Sequence, residues 1–347
     1  MWHYRSPLAV LTGLLVTGWP SVSVQAAEVF ASIGLHSSSE PVPVYDMVHG
    51  WGDDVRRGRY AWADGRVQSG FLAQGWMVAW ERRWHYDFRF GAETAEFYGR
   101  LEQGDNRPGD YRLQLQATAL QMRGVRAGYE FEWQRFRVQP VVSLYRVDQY
   151  QAGRLQGFAD SAALESASVL LDYHFDDDKL LGWPTAPEDG HGVSADLNLA
   201  YNGPQWQFEL QLQDLWNRFE LPAAAFTRGC INLGFSANPV CLEDNAAAGN
   251  SGYADYHTHL QYSGQLRAVY TDLGVQLTAF WHDRYQRISA QKNWRTRIGE
   301  LGLSAHSTAQ LGLHWSSNWH QLALVTDQAD WQQARHLQVQ LALRYPW

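Results

Sequence analysis

Apolar and polar residues alternate along most of this chain. At the C-terminus, HLQVQLALRYPW places Leu337, Val339, Leu341, Leu343, Tyr345 and Trp347 on alternate positions, with Gln338, Gln340, Ala342 and Arg344 between them. A period of two is that of a strand with one apolar and one polar face. In a soluble protein the apolar face packs on a core. In a membrane barrel it meets lipid, and the polar face lines the lumen.

The same pattern recurs. Trp206, Phe208, Leu210 and Leu212 share one face, with Gln205, Gln207, Glu209, Gln211 and Gln213 on the other. Val193 to Tyr201 alternates likewise, and Asn202-Gly203-Pro204 between the two runs is a tight-turn signal, so together they predict a hairpin. The predicted strands are 28–37, 58–73, 76–100, 110–133, 136–151, 158–175, 191–202, 205–219, 255–271, 274–290, 295–315, 319–329 and 335–347. Segments such as 110–133 and 295–315 run on without a turn signal. They exceed the ~5–6 residues usual in soluble strands, and about 9–11 tilted residues cross a bilayer. No stretch has a helical period.

These predicted strands are odd in number, whereas a single-chain bacterial barrel normally has an even number. Twelve or fourteen are therefore expected, with the fault at 176–190 or in the N-terminal segment. The fold expected is an all-β, antiparallel transmembrane barrel. A soluble periplasmic β-protein is the fallback. Three stretches do not read as strand. Residues 38–57 are a loop or a plug in the lumen, 176–190 an acidic connection, and 220–254 a long loop that strand parity puts outside.

Composition fixes the address. Arg5 precedes an apolar stretch, Leu8 to Val16, and Val24-Gln25-Ala26 offers a cleavage site. Residues 1–26 are expected to be a cleaved signal peptide and 27–347 a single barrel domain, with a retained anchor as the alternative. Mean hydropathy is −0.40, a value open to a barrel because its lumen face is polar. Net charge is −8 with no basic stripe, which argues against nucleic acid. The 17 Trp and 17 Tyr suit the aromatic girdles of a barrel, and would also suit a sugar-binding protein. After export, Cys230 and Cys241 are expected to form a disulfide.

The stretch FDDDKLLG…GHGVSADLNLAYNGPQWQFELQLQDLWNRF resembles barrel segments of Gram-negative outer-membrane proteins, similar to those of conjugal-transfer and fatty-acid-transporter barrels and of uncharacterised relatives. The terminal aromatic resembles the signal read by the outer-membrane assembly machinery. That pattern most often ends in Phe; here Trp347 follows Pro346. The resemblance implies the Gram-negative outer membrane, with its lipid and lipopolysaccharide, and that machinery as partners.

If the apolar faces meet lipid, then Arg89, Arg112, Gln114, Gln116, Glu209, Gln211, Gln265, Arg267, Gln338, Gln340 and Arg344 line the lumen. Their mixture suits either a narrow selective pore or a closed polar network. Other constellations read as structural first. Asp255, His257 and His259 alternate on one strand, as do His282 with Arg284 and Ser304 with His306. None has the context of a triad. Asp176, Asp177, Asp178, Glu188 and Asp189 lack a calcium-loop spacing, and Asp53 and Asp54 beside Arg56 and Arg57 read as a solvated loop. No catalytic group, cofactor or metal is expected. The function expected is a porin-like channel or a binding and transport barrel for a small solute. The alternatives are an accessory barrel with a closed lumen and, last, a lipid-modifying enzyme.

Overall fold

The computed structural model describes residues 27–346 apart from 53, 106–107, 162–165, 179–181, 183–184, 186–187, 235–239 and 242–246. The expected signal peptide and Trp347 lie outside these. The described chain is a closed antiparallel transmembrane barrel of 14 strands. In chain order they are β1 (Glu28–Ser39), β2 (Tyr60–Ala73), β3 (Trp76–Phe90), β4 (Pro108–Tyr129, with a tail Phe131–Trp133) and β5 (Phe136–Ser161). Then come β6 (Ala167–Phe175 and Gly190–Asn202), β7 (Trp206–Leu233), β8 (Ala247–Thr258 and Ser263–Tyr270) and β9 (Val275–His282). The last are β10 (Tyr285–Thr296), β11 (Gly299–His306), β12 (Leu311–Ser316), β13 (His320–Thr326) and β14 (His336–Pro346). Strand β14 pairs with β1, from Glu28↔Pro346 to Ser38↔His336, and closes the ring.

Two strands are interrupted. Both halves of β6 pair with β5 and with β7, so 176–189 is an excursion from one strand. Both halves of β8 likewise pair with β7. The sequence had split 136–202 into one strand too many. It had also missed two hairpins. Residues 274–290 turn at Asp283-Arg284, and 295–315 turn between His306 and Leu311. Neither turn carries Gly, Pro or Asn. The left-handed positions are taken by Asp283 (φ 46°) and Ala309 (φ 57°), so the usual turn signal is missing. His282 and Arg284 therefore do not share a strand. Residues 220–233 and 247–254, expected in a loop, extend β7 and β8.

Two helices were also not foreseen, α1 (Val44–His49) and α2 (Ala92–Gln103). Helix α2 begins where β3 stops, while β4 runs on. It satisfies the edge β3 leaves bare: Gln114 N donates to Thr94 Oγ1 (2.7 Å) and Arg112 N to Glu93 Oε2 (2.8 Å). Phe97 packs on Tyr111, their ring centroids 5.4 Å apart.

The alternation of β14 resolves as a membrane wall. Leu343 and Tyr345 are exposed on the outside, while Gln338, Gln340 and Arg344 face in. The six turns at 74–75, 134–135, 203–205, 271–274, 297–298 and 317–319 and both described termini lie at one end, here the turn end. An aromatic girdle runs round it: Trp76 on Tyr129 (4.9 Å), Phe136 on Tyr201 (5.0 Å), Trp206 on Tyr270 (4.9 Å) and Trp319 on Tyr345 (5.4 Å). Higher on the outer wall, register sets Arg82 beside Arg123 and Arg123 beside Arg146.

The wall is uneven. Strands β5 and β7 have 26 and 28 residues, whereas β12 and β13 have 6 and 7. Inside the tall half the lumen is filled. Arg83 on β3 reaches across to Asp214 on β7 with two bonds (2.8 and 2.6 Å) and holds Asp64 on β2 (2.6 Å). Asp64 also binds Arg66 (2.6 Å) and His85 (3.0 Å). Arg126 joins Asp196 (2.7 Å) to Glu81 (3.1 Å), and Glu81 accepts from Tyr145 and Gln68. Above this bridge sits an apolar cluster of Leu120, Met122, Val147, Phe219 and Leu221. Three arginines thus meet four carboxylates, nearly all buried, and each carboxylate has a cationic partner. Removing one partner of such a set leaves an uncompensated buried charge. Arg83→Met should therefore lower stability by about 3–5 kcal/mol. Adding Asp214→Asn should recover part of the loss. The temperature of the folded-to-unfolded gel shift in detergent reads both; an unchanged single variant would show that the bridge is not structural.

Candidate functional site

The turn end of the barrel is hollow, and the bridge of Arg83, Arg126, Asp196 and Asp214 forms part of the wall. A cavity of about 2010 Å³ opens among the turns, at Gln74, Gly75, Thr271 to Gly274, Asn293 and Ser316 to Asn318. No described residue of the loops at the other end lines it. Its wall carries Glu209, Gln211, Gln265, Arg267, Gln338, Gln340 and Arg344, seven of the residues expected in the lumen. Register explains how they meet. Arg267 lies opposite Glu209 and Gln265 opposite Gln211, so Arg267 Nη2 reaches Glu209 Oε1 at 2.8 Å. Arg344 pairs with Glu28 at 3.5 Å.

The other four expected lumen residues lie elsewhere. Arg89 has inward parity but ties β3 to the β9–β10 turn through Asp283 (3.0 Å). Arg112, Gln114 and Gln116 also have the inward parity of β4. They stand on the tall wall, where no short strand faces them, and are exposed to solvent. Parity alone put them in the lumen; the height of the wall takes them out.

The closed end of the cavity is aromatic and basic. His36, Trp62, Phe280, His282 and Arg287 line it. His36 lies 4.6 Å from Trp62 and 4.5 Å from Phe280, centroid to centroid, and Trp62 lies 4.6 Å from His282. His282 Nε2 is 3.4 Å from Asp87. Of these only His282 was singled out in the sequence. The alternation of Glu81, Arg83, His85 and Asp87 with Trp80, Trp84, Tyr86 and Phe88 is a signal that could have found the inner face of β3. Ser304 Oγ lies 2.9 Å from both His306 Nε2 and His314 Nε2. A nucleophile and two bases thus meet at the wall, but among the described residues His306 Nδ1 has no partner to orient it.

The remaining candidates do not converge. A bulge at Ala254/Tyr256 puts Asp255 out of step with His257, and its carboxylate caps Ala223 N (3.0 Å). His257 is exposed opposite Glu220, and His259 is exposed beyond the end of that half-strand. Asp176 accepts from Tyr150 N (3.0 Å), Asp178 from the Tyr173 hydroxyl, and Asp189 binds Arg146, so the acidic excursion is spent on separate partners; Glu188 is exposed. No group of three potential metal ligands occurs among the described residues. Cys230 and Cys241 are bonded, Cα to Cα 5.6 Å, at the tip of β7. Asp53 lies outside the described residues, and Arg57 pairs with Glu96 (2.9 Å).

Residues 38–57 form a cap on the loop end rather than a plug in the cavity. Arg335, from the β13–β14 loop, clasps it. Its guanidinium donates to Glu40 O (2.6 Å) and Asp54 O (2.7 Å) and meets the Asp54 carboxylate at 2.8 Å. That bond holds the Asp54 carboxyl below its ordinary value. The clasp is thus complete above the ordinary carboxylate range and weakens as pH falls through it. Pepsin cleavage within 40–57 should begin below about pH 4. Arg335→Ala should let trypsin cut after Arg56 or Arg57 at neutral pH, and equal cutting of parent and variant would refute the clasp.

No family model matches the chain, and no curated protein matches it in sequence. Two solved structures are similar in shape. A TodX deltaS2S3 mutant, a monoaromatic hydrocarbon channel, is 10% identical with a TM-score of 0.45, over 93% of this chain and 90% of its own. CymD, also a monoaromatic hydrocarbon channel, is 10% identical with a TM-score of 0.39, over 92% and 87%. The loose resemblance seen in the sequence to outer-membrane barrels agrees with the closed barrel itself.

Proposed function

We propose that this protein is an outer-membrane barrel that binds and passes a small solute, and is not a general porin. One observation carries the reading: the cavity opens among the turns and ends blind beneath the cap, while the tall half above it is filled by its own side chains. A general porin needs a continuous aqueous lumen, whereas a binding barrel needs a shaped cavity with a few convergent polar groups. In this reading the turn end faces the periplasm and the cap faces outward. The row Arg82, Arg123 and Arg146 meets the phosphates of lipopolysaccharide, and β14 engages the assembly machinery. No catalytic step, metal or cofactor belongs to the cavity. A closed accessory barrel is the second reading, favoured by the filled tall half.

Single-channel recording of the refolded chain in a planar bilayer tests this. The parent should be silent, and Arg335→Ala should give discrete steps as the cap loosens. Porin-like steps from the parent would overturn the reading. Silence from both folded samples would favour the accessory barrel.

A further inference from the structure

The arginines inside this barrel fall into two kinds. Arg66, Arg83 and Arg126 each hold a carboxylate at 2.6–2.7 Å. Arg287, on β10 at the blind end of the cavity, is equally buried but holds none among the described residues. Its Nη1 donates to Gln310 Oε1 (2.9 Å) and its Nη2 to Gln338 Oε1 (2.7 Å), both neutral amides. The Tyr285 hydroxyl, bonded to Gln310, is neutral too. A guanidinium does not shed its proton, and a buried cation without a counter-charge is unfavourable. The amides orient the group without neutralising it.

We propose that Arg287 is an anion-binding residue that takes the carboxylate of a small aromatic acid. The inference rests on the reading of the cavity as a solute site and names its solute class. Arginine presents a planar fork of donors that suits a carboxylate. The ligand's ring has walls ready. The guanidinium carbon lies 5.7 Å from the Phe280 ring, and Trp62 lies 5.9 Å beyond Phe280 with its ring nearly parallel, interplanar angle 21°. A ligand ring would pack against these faces offset or edge-on, at centroid spacings of about 4.5–7 Å. Two buried nitrogens here, Trp62 Nε1 and His36 Nε2, also have no hydrogen-bond partner among the described residues. An indole nitrogen can only donate, so Trp62 calls for an acceptor oxygen. A single uncompensated cation beside aromatic faces fits a monocarboxylate with a ring better than a dianion or a bare hydrocarbon.

Titration calorimetry of the folded chain in detergent tests this with benzoate, acetate and benzyl alcohol as probes. The parent should bind benzoate more tightly than either of the others. Arg287→Gln should weaken benzoate by at least about tenfold, the scale of a charged hydrogen-bonded contact, and leave benzyl alcohol unchanged. Without ligand, Arg287→Gln should melt no lower than the parent, since it removes an unneutralised charge; a merely structural arginine would lower the melt. Trp62→Phe keeps the cation and should weaken benzoate more than acetate, an arm that survives if the first variant fails to fold. Equal benzoate affinity in parent and Arg287→Gln, or acetate binding as well as benzoate, overturns the proposal. Binding of benzyl alcohol alone overturns the anion site but leaves the cavity reading standing. Binding of no probe to folded parent removes both.

Discussion

The bond between Arg83 and Asp214 crosses the barrel. These residues sit on β3 and β7, which are not neighbours, so the bridge spans the inside of one arc of the wall and fixes more than a register. It does so with charges that lipid outside and apolar side chains above keep from bulk water. Such charges are tolerable only as a complete set. That demand links β2, β3, β4, β5, β6 and β7 through Asp64, Arg66, Glu81, Arg83, Arg126, Tyr145, Asp196 and Asp214. The apolar cluster of Leu120, Met122 and Phe219 then packs above it.

Filling one half defines the other. With the loop end of the tall half occupied by its own side chains, the lumen that remains lies at the turn end, where all 14 strands line it. Its polar wall, Glu209 with Arg267 and Gln265 with Gln211, is made by strand register. Its blind end combines aromatic faces with a cation that has only neutral neighbours. The cap closes the loop end through Arg335, whose donors hold two separate points of the 40–57 segment. Cavity, cap and bridge divide one barrel into a filled side toward the loops and a hollow side toward the turns. The hollow side is where a solute can be held.

Much was legible in the sequence because alternation is a local property. Strand 335–347, the hairpin about Asn202-Gly203-Pro204, the disulfide pair and seven lumen residues follow from a period of two and from turn chemistry. The helix α2 was hidden because its first turn is held by the exposed edge of β4, through Glu93 and Thr94, rather than by a helical period of its own. The hairpins at Asp283 and Ala309 were hidden because neither carries Gly, Pro or Asn, and Asp283 or Ser307 alone is a weak signal.

Asp214 marks the limit of reading by pattern. Counting onward from Trp206, Phe208, Leu210 and Leu212 would send Asp214 to the lipid face. Extra residues between the pairs Leu197↔Leu212 and Ala195↔Trp216 form a bulge, and Asp214 takes φ 56° there and turns inward to Arg83. Its own N–H donates to Asp196 (2.7 Å) and Ser194 donates to its carboxylate (2.8 Å), so partners from β6 hold the turn. The sequence by itself determined that this chain is built of long strands with one apolar and one polar face, since that needs only which residues alternate. Only the tertiary structure decided which half is filled, which end is closed and which arginine lacks a counter-charge. Those depend on strand heights, bulges and contacts across the lumen, between residues far apart in the chain.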